Sequence, residues 1–265
     1  MAKGEMLPES AVQSVDRALV ILEMLANSRR SLSVTEIGRE VGLHKSTVYR
    51  LLSTMARRGY VEQDPETQRY KLGLKVLEVS NKLLGTLQVR TEAMPFLREL
   101  AEACGEAVHL AVLNDGEVVY VEKVEGAGVF PMYSQIGRRA PVHCTAVGKA
   151  ILAHLPEEEV RAIVAARGLT PRTDKTVSDI ETLFAHLVQV RSLGYAVDQE
   201  EHEAGVACVA APVFDYRGRV IAAVSVSGTS ARVVGPEGEN LAVIVRRVKE
   251  AGEAISRRLG YQKLV

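Results

Sequence analysis

From Ser33 to Arg58 the apolar positions recur at helical spacing in two short blocks separated by a glycine. Ser33, with Glu36 three residues on, has the pattern of a capping box and predicts a helix start there. Ile37 and Val41 share one face, while Arg39 and Glu40 turn to solvent. Gly42, able to take a positive φ, ends this helix. A second helix begins near His44 or Lys45, with Val48, Leu51, Leu52 and Met55 at i, i+3, i+4 and i+7. Two short alternating runs, residues 58–64 and 69–72, flank the polar turn 65–68 and predict a β-hairpin. Helix, turn, helix and hairpin make a winged helix-turn-helix, expected over residues 10–73.

The same periodicity extends to both sides. Residues 1–13 read as a loose arm. Ser14 is expected to cap a helix over 14–27, with Val15, Ala18, Leu19, Leu22 and Leu25 facing inward. After the hairpin, Leu74, Val76, Leu77, Val79, Leu83 and Leu84 predict a linker helix, residues 74–88. Its apolar surface calls for a partner, and a second copy of the chain is the one expected. Residues 89–265 then read as one domain. A helix over 89–104 precedes strands 107–113 and 117–124, joined by the hairpin turn Asn114-Asp115-Gly116. A further strand is expected over 130–136. Helices are expected from Cys144 or Thr145 to Leu152, from Pro156, over 178–193 and over 236–259. Strands 195–198, 206–214 and 220–227 complete an α+β domain with helices on the faces of its sheet.

Composition refines this outline. At 265 residues and 47% hydrophobic, the chain is long enough for two cores. Its net charge of zero is unlike that of a nucleic-acid binder as a whole. The charge is uneven, however: residues 29–58 carry seven cations against two anions, a local +5 that leaves −5 for the remainder. No secretory signal is expected, because Glu5, Pro8 and Glu9 precede any apolar run, and no stretch is long enough for a transmembrane helix. Cys104, Cys144 and Cys208 are widely spaced and read as reduced thiols. A cytoplasmic protein is expected.

The outer face of the second helix carries Lys45, Ser46, Thr47, Tyr49, Arg50, Ser53, Arg57 and Arg58, without an acid. A merely solvated face mixes signs. Cations, hydroxyls and a phenol are the groups that bond phosphates and base edges. Lys45, Ser46, Thr47, Tyr49, Arg50, Ser53 and Arg57 are therefore expected to contact DNA, with Arg17 and Thr35 beside them and Arg69 and Lys71 on the wing.

Four segments together resemble the IclR family of bacterial transcription regulators: the winged helix, the run GRRAPVHCTAVGKA (137–150), and the runs GYAVDQEEHE (194–203) and CVAAPV (208–213). The resemblance covers nearly the whole chain. It implies a GAF-like α/β effector-binding domain, a homodimer or homotetramer, an operator of two half-sites in double-stranded DNA, and control by a small molecule. It also implies that Thr145, Ala146 and Val147, at a helix N-terminus suited to a carboxylate, contact the effector with Asp198, Cys208, Ser225 and Ser227. Val147 occupies more room than the smaller residues of some similar proteins. On their own, Ser225 and Ser227 are two apart on a strand and so share a face.

The expected function is thus a ligand-responsive DNA-binding transcriptional regulator, a repressor or activator of metabolic genes that senses a small molecule, an organic acid being favoured. No cofactor and no catalytic residue is expected. The second reading is a zinc- or redox-responsive regulator, since His143, Cys144, Asp198, His202 and Cys208 are zinc-ligand types and two of them are thiols. The third is an enzyme acting on a small metabolite. It lacks a Gly-x-Ser-x-Gly, P-loop, dinucleotide or His-Glu-x-x-His motif. Glu200, Glu201 and Glu203 read as a solvated acidic loop.

Overall fold

The computed structural model describes residues 12–28, 30–86, 88–127, 135–235 and 241–262. The chain divides into two compact units, Met1–Thr86 and Leu87–Val265. None of the described helices is long and apolar enough to cross a membrane.

The first unit contains α1 (Gln13–Asn27), α2 (Val34–Val41), α3 (Lys45–Arg57), β1 (Val61–Gln63), β2 (Tyr70–Leu72) and α4 (Lys75–Thr86). The capping box is formed in both directions: the Ser33 hydroxyl accepts the Glu36 amide, and Glu36 Oε2 accepts the Ser33 amide at 2.8 Å. Gly42 has φ 67°, so the chain turns into α3 without the strain a side chain would bring. β1 and β2 pair antiparallel with Val61 opposite Leu72. Tyr70 also exchanges two backbone hydrogen bonds with Leu32, at 2.7 and 2.9 Å, which ties the hairpin to the α1–α2 connection. Ile21, Leu25, Leu32, Ile37, Val48, Leu52, Val61 and Tyr70 form the buried core.

Two expectations for α1 are corrected. The helix starts at Gln13, Val12 is its N-cap, and no side chain caps it, so Ser14 lies inside the helix. Its inward residues are Ile21 and Leu25, while Val15 and Leu19 are more than half exposed. Apolar residues occur almost all round this helix, so periodicity could not choose its rotation. Contacts with α2, α3 and β2 did.

The second unit contains α5 (Gln88–Cys104), β3 (Ala107–Asn114), β4 (Glu117–Val124), β5 (Arg139–Pro141), α6 (Ala146–Leu152), α7 (Glu157–Arg167), α8 (Ile180–Leu193), β6 (Ala196–Gln199), β7 (Val206–Phe214), β8 (Val220–Thr229), α9 (Ser230–Val233) and α10 (Leu241–Arg258). The strands form one antiparallel sheet in the order β5-β4-β3-β8-β7-β6. Alternation along β8 shows how the faces divide. Val224 and Val226 enter the core shared with α5 and α10, whereas Ala223 enters the core shared with α6, α7 and α8. The fold is the expected α+β domain.

Here too some details differ. The strand expected over 130–136 falls on residues outside those described as far as 134, and Ile136 lies in a turn. The edge strand observed is β5. Asp179, not Ser178, caps α8, its carboxylate accepting the Thr182 amide at 2.8 Å. Among the described residues α10 begins at Leu241, and 236–240 lie outside them. The short α9 had no signal in the sequence.

Candidate functional site

In the first unit, packing of Val48 and Leu52 into the core turns Lys45, Ser46, Tyr49, Arg50, Ser53 and Arg57 outward, with Thr47 half-buried at the margin. Ser46, Arg50, Ser53 and Arg57 succeed one another at three- and four-residue steps, so they form one stripe. Among the described residues none of Lys45, Arg50, Arg57 and Arg58 is in an ion pair. Thr35 is exposed in the first turn of α2, and Arg17 is half-buried on α1. The wing cations differ from each other. Lys71 is exposed and lies 3.3 Å from Glu62, whereas Arg69 donates to the Ser31 carbonyl and to Glu36, each at 3.0 Å. Arg69 therefore ties the wing to α2 within the unit. Glu36, bonded first by Ser33 and then by Arg30, is held well below the usual carboxylate range, at about 2.

In the second unit, register brings distant residues together. Asp198 on β6 is opposite Cys208 on β7, and Cys208 is opposite Ser227 on β8. Ser225 on β8 is opposite His109 on β3, whose ring lies 5.3 Å from that of Tyr120 on β4. Over this row sits the start of α6. Thr145 caps it, accepting the Gly148 amide at 3.2 Å and donating to the Pro141 carbonyl at 2.7 Å. A Cβ on Gly148 would lie 2.2 Å from the Val142 carbonyl oxygen, so only glycine lets the preceding loop fold this close. Between helix and row is a cavity of about 50 Å³. All seven residues named from the resemblance line it: Thr145, Ala146, Val147, Asp198, Cys208, Ser225 and Ser227.

The cavity has further lining residues that the sequence did not single out for it, among them His109, Tyr120, Arg138 and Glu203. His109 was the visible clue, a lone imidazole in the buried run AVHLAVL. Burial drives it down to about 3, with Lys123 adding to the effect, so it is neutral. Asp198 is raised to about 7, chiefly by burial and then by the Glu201 carboxylate, although its Oδ1 accepts the Glu201 amide at 2.8 Å.

Glu201 corrects another expectation. It is not part of a solvated loop but buried, and Lys149, itself 3% exposed on the second turn of α6, donates to its Oε1. Its Oε2 has no partner among the described residues, and Thr176 donates to its backbone carbonyl at 2.6 Å. Lys149 was legible as one ammonium in the otherwise apolar run TAVGKAIL, which requires a buried partner.

The zinc-ligand types do not gather. His143 Nε2 lies 3.2 Å from the Thr170 carbonyl, and Cys144 Sγ lies 3.7 Å from His202 Nδ1. Among the described residues no three His, Cys, Asp or Glu side chains converge to hold a metal ion. Burial pushes the Cys144 thiol up to about 12 and raises Cys208 as well, the opposite of what a redox-sensing thiolate needs.

Comparison with known proteins finds matches to both units. The family model for the IclR helix-turn-helix domain matches residues 14–65, and that for the C-terminal part of bacterial transcriptional regulator IclR matches residues 81–257. The chain is 42% identical over 250 residues to the HTH-type transcriptional regulator XynR of Escherichia coli K12, covering 94% of this chain and 98% of that protein. The crystal structure of the Thermotoga maritima IclR is similar with a TM-score of 0.80 at 33% identity, covering 94% of this chain and 99% of that one. So is an IclR homolog from Microbacterium hydrocarbonoxydans complexed with 4-hydroxybenzoate, with a TM-score of 0.80 at 27% identity, covering 93% of this chain and 99% of that one.

Proposed function

The chain belongs to the IclR family of bacterial transcriptional regulators, and from that premise we propose how it reads DNA and what it senses. The acid-free stripe of α3 carries the DNA reading. Lys45, Ser46, Thr47, Tyr49, Arg50 and Ser53 enter the major groove of one half-site, and Arg57, Thr35 and Arg17 meet flanking phosphates. On the wing, Lys71 supplies a phosphate contact while Arg69 holds the hairpin in place for it. The chain acts as a homo-oligomer in the cytoplasm. Supporting this, α1 leaves Val15 and Leu19, and α4 leaves Leu77 and Val79, 44–58% exposed, surfaces that a second copy would cover.

The effector is a small organic acid held between the first turn of α6 and the row Asp198, Cys208, Ser225 and Ser227. Fifty cubic ångströms is room for about three water molecules. An acid of several carbons therefore has to move the lining apart. It binds the opened arrangement more tightly than the closed one, which is what a ligand must do to shift an equilibrium. The relative bound to 4-hydroxybenzoate supports a carboxylate as the anchoring group.

Binding to an operator duplex selected from random sequence tests the DNA-reading half. Arg50→Ala should weaken binding by about 1–3 kcal/mol and leave thermal stability unchanged. Unchanged affinity at fixed salt would remove Arg50 from the interface. For the sensing half, a thermal-shift screen of organic acids should give a hit that Ser227→Ala abolishes while operator binding persists. A hit that Ser227→Ala and Asp198→Ala both leave intact would place the effector elsewhere.

A further inference from the structure

The second unit has a cavity larger than the one under α6. β6 covers its neighbour β7 only from Ala207 to Ala210, so residues 211–214 have no strand on that side. Where β6 is missing, the C-terminal end of α8, one face of α10 and the end of β7 line a cavity of about 820 Å³ that opens to solvent. It shares no lining residue with the first.

We propose that this cavity is a second small-molecule site, one that takes a planar aromatic ring carrying an anionic group. Its size is within the roughly 300–1,000 Å³ of small-molecule sites, and its lining supplies both halves of such a ligand's requirements. Phe214 and Tyr261 stack with centroids 5.1 Å apart, and His154 meets Phe214 edge-on at 4.9 Å, which makes an aromatic wall. Arg191, Lys249 and Arg257 line the cavity against the one carboxylate of Glu253. Lys249 is held at the wall by the Leu193 carbonyl at 2.8 Å and keeps two further donors, while Arg257 is only loosely paired with Glu253 at 3.7 Å. His154 Nε2 is buried with no partner among the described residues. Burial, and then Arg191, holds this imidazole neutral, at about 4, so it adds an aromatic edge to the wall and no further charge.

An added strand from another protein fits poorly. Pro212 has no N–H, and the Phe214 N–H is already taken by Ser256 Oγ at 2.9 Å. The two cavities are linked through α6, all of whose residues are buried. Thr145, Ala146 and Val147 at its start line the first cavity, and His154, just past its end, lines the second.

Fluorescence titration of the full chain with anilinonaphthalenesulfonate, an aromatic anion that brightens in apolar sites, tests the proposal. Saturable binding of one dye per chain is expected, with displacement by phenyl phosphate and not by cyclohexanol. Lys249→Glu and Arg257→Glu should each weaken it about ten-fold or more, because reversing a charge beside the bound anion turns attraction into repulsion. Tyr261→Ala, near the end of the chain, gives a third variant that does not depend on either charge. Asp198→Asn and Ser227→Ala, in the other cavity, should leave dye affinity unchanged. Dye affinity that survives all three variants of this cavity, or that is lost with Asp198→Asn, would place the dye elsewhere and overturn the proposal. Absence of saturable binding would overturn it too.

Discussion

Asp198 is a carboxylic acid whose ionisation folding opposes. The ordinary value of 3.8 becomes about 7 in the folded chain, so burial opposes ionisation across about three pH units. At about 1.4 kcal/mol per pH unit, the buried carboxylate costs the fold about 4 kcal/mol once the pH is above both values. The sign follows from which state binds the proton more tightly. Here it is the folded state, so the stabilising effect is complete below 3.8 and is lost as the pH rises through about 7. Asp198→Asn removes the ionisation, and its amide oxygen can still accept the Glu201 N–H that Asp198 Oδ1 accepts at 2.8 Å. Urea unfolding of both proteins at a series of pH values isolates this residue, since other titrations cancel in the difference. The variant should gain about 2–3 kcal/mol over the parent between about pH 5 and pH 8. A difference that stays constant across this range would refute the reasoning. It would mean that Lys149 keeps Asp198 ionised throughout, and that burial of this site is not the dominant influence.

Lys149→Met leaves Glu201 buried without its cation and should cost about 3–5 kcal/mol in urea unfolding. Adding Glu201→Leu should restore most of that loss, because no uncompensated charge then remains, and failure of the double variant to recover would show that the pair's geometry, not its charge, is what the fold needs. In the first unit, Leu52→Ala empties a fully buried position and should lower stability by about 2–5 kcal/mol, with the loss read as a shift of the denaturation midpoint. A loss below about 1 kcal/mol would mean that α3 relaxes into the space.

The winged helix was legible because its signals are local. The Ser33–Glu36 box, the left-handed Gly42 and the polar turn between β1 and β2 are each decided within about six residues, by hydrogen bonds and backbone sterics that any neighbourhood of the chain would allow. The rotation of α1 was not legible, since several of its faces are apolar and only the partners across the core select Ile21 and Leu25. Seven cavity residues could be named from a resemblance, and the pairing of Ser225 with Ser227 from strand alternation alone. What brought Asp198, Cys208 and Ser227 into one row, and His109 opposite Ser225, was register between strands far apart in the chain. The same holds for Lys149 and Glu201, 52 residues apart, and for the cavity left where β6 stops short of the end of β7. A residue's own sequence neighbours determine whether it is helical and, where one face alone is apolar, which way it faces. Whether a charge there is solvated, paired or facing a cavity depends on chain that returns from elsewhere, and only the tertiary structure decides it.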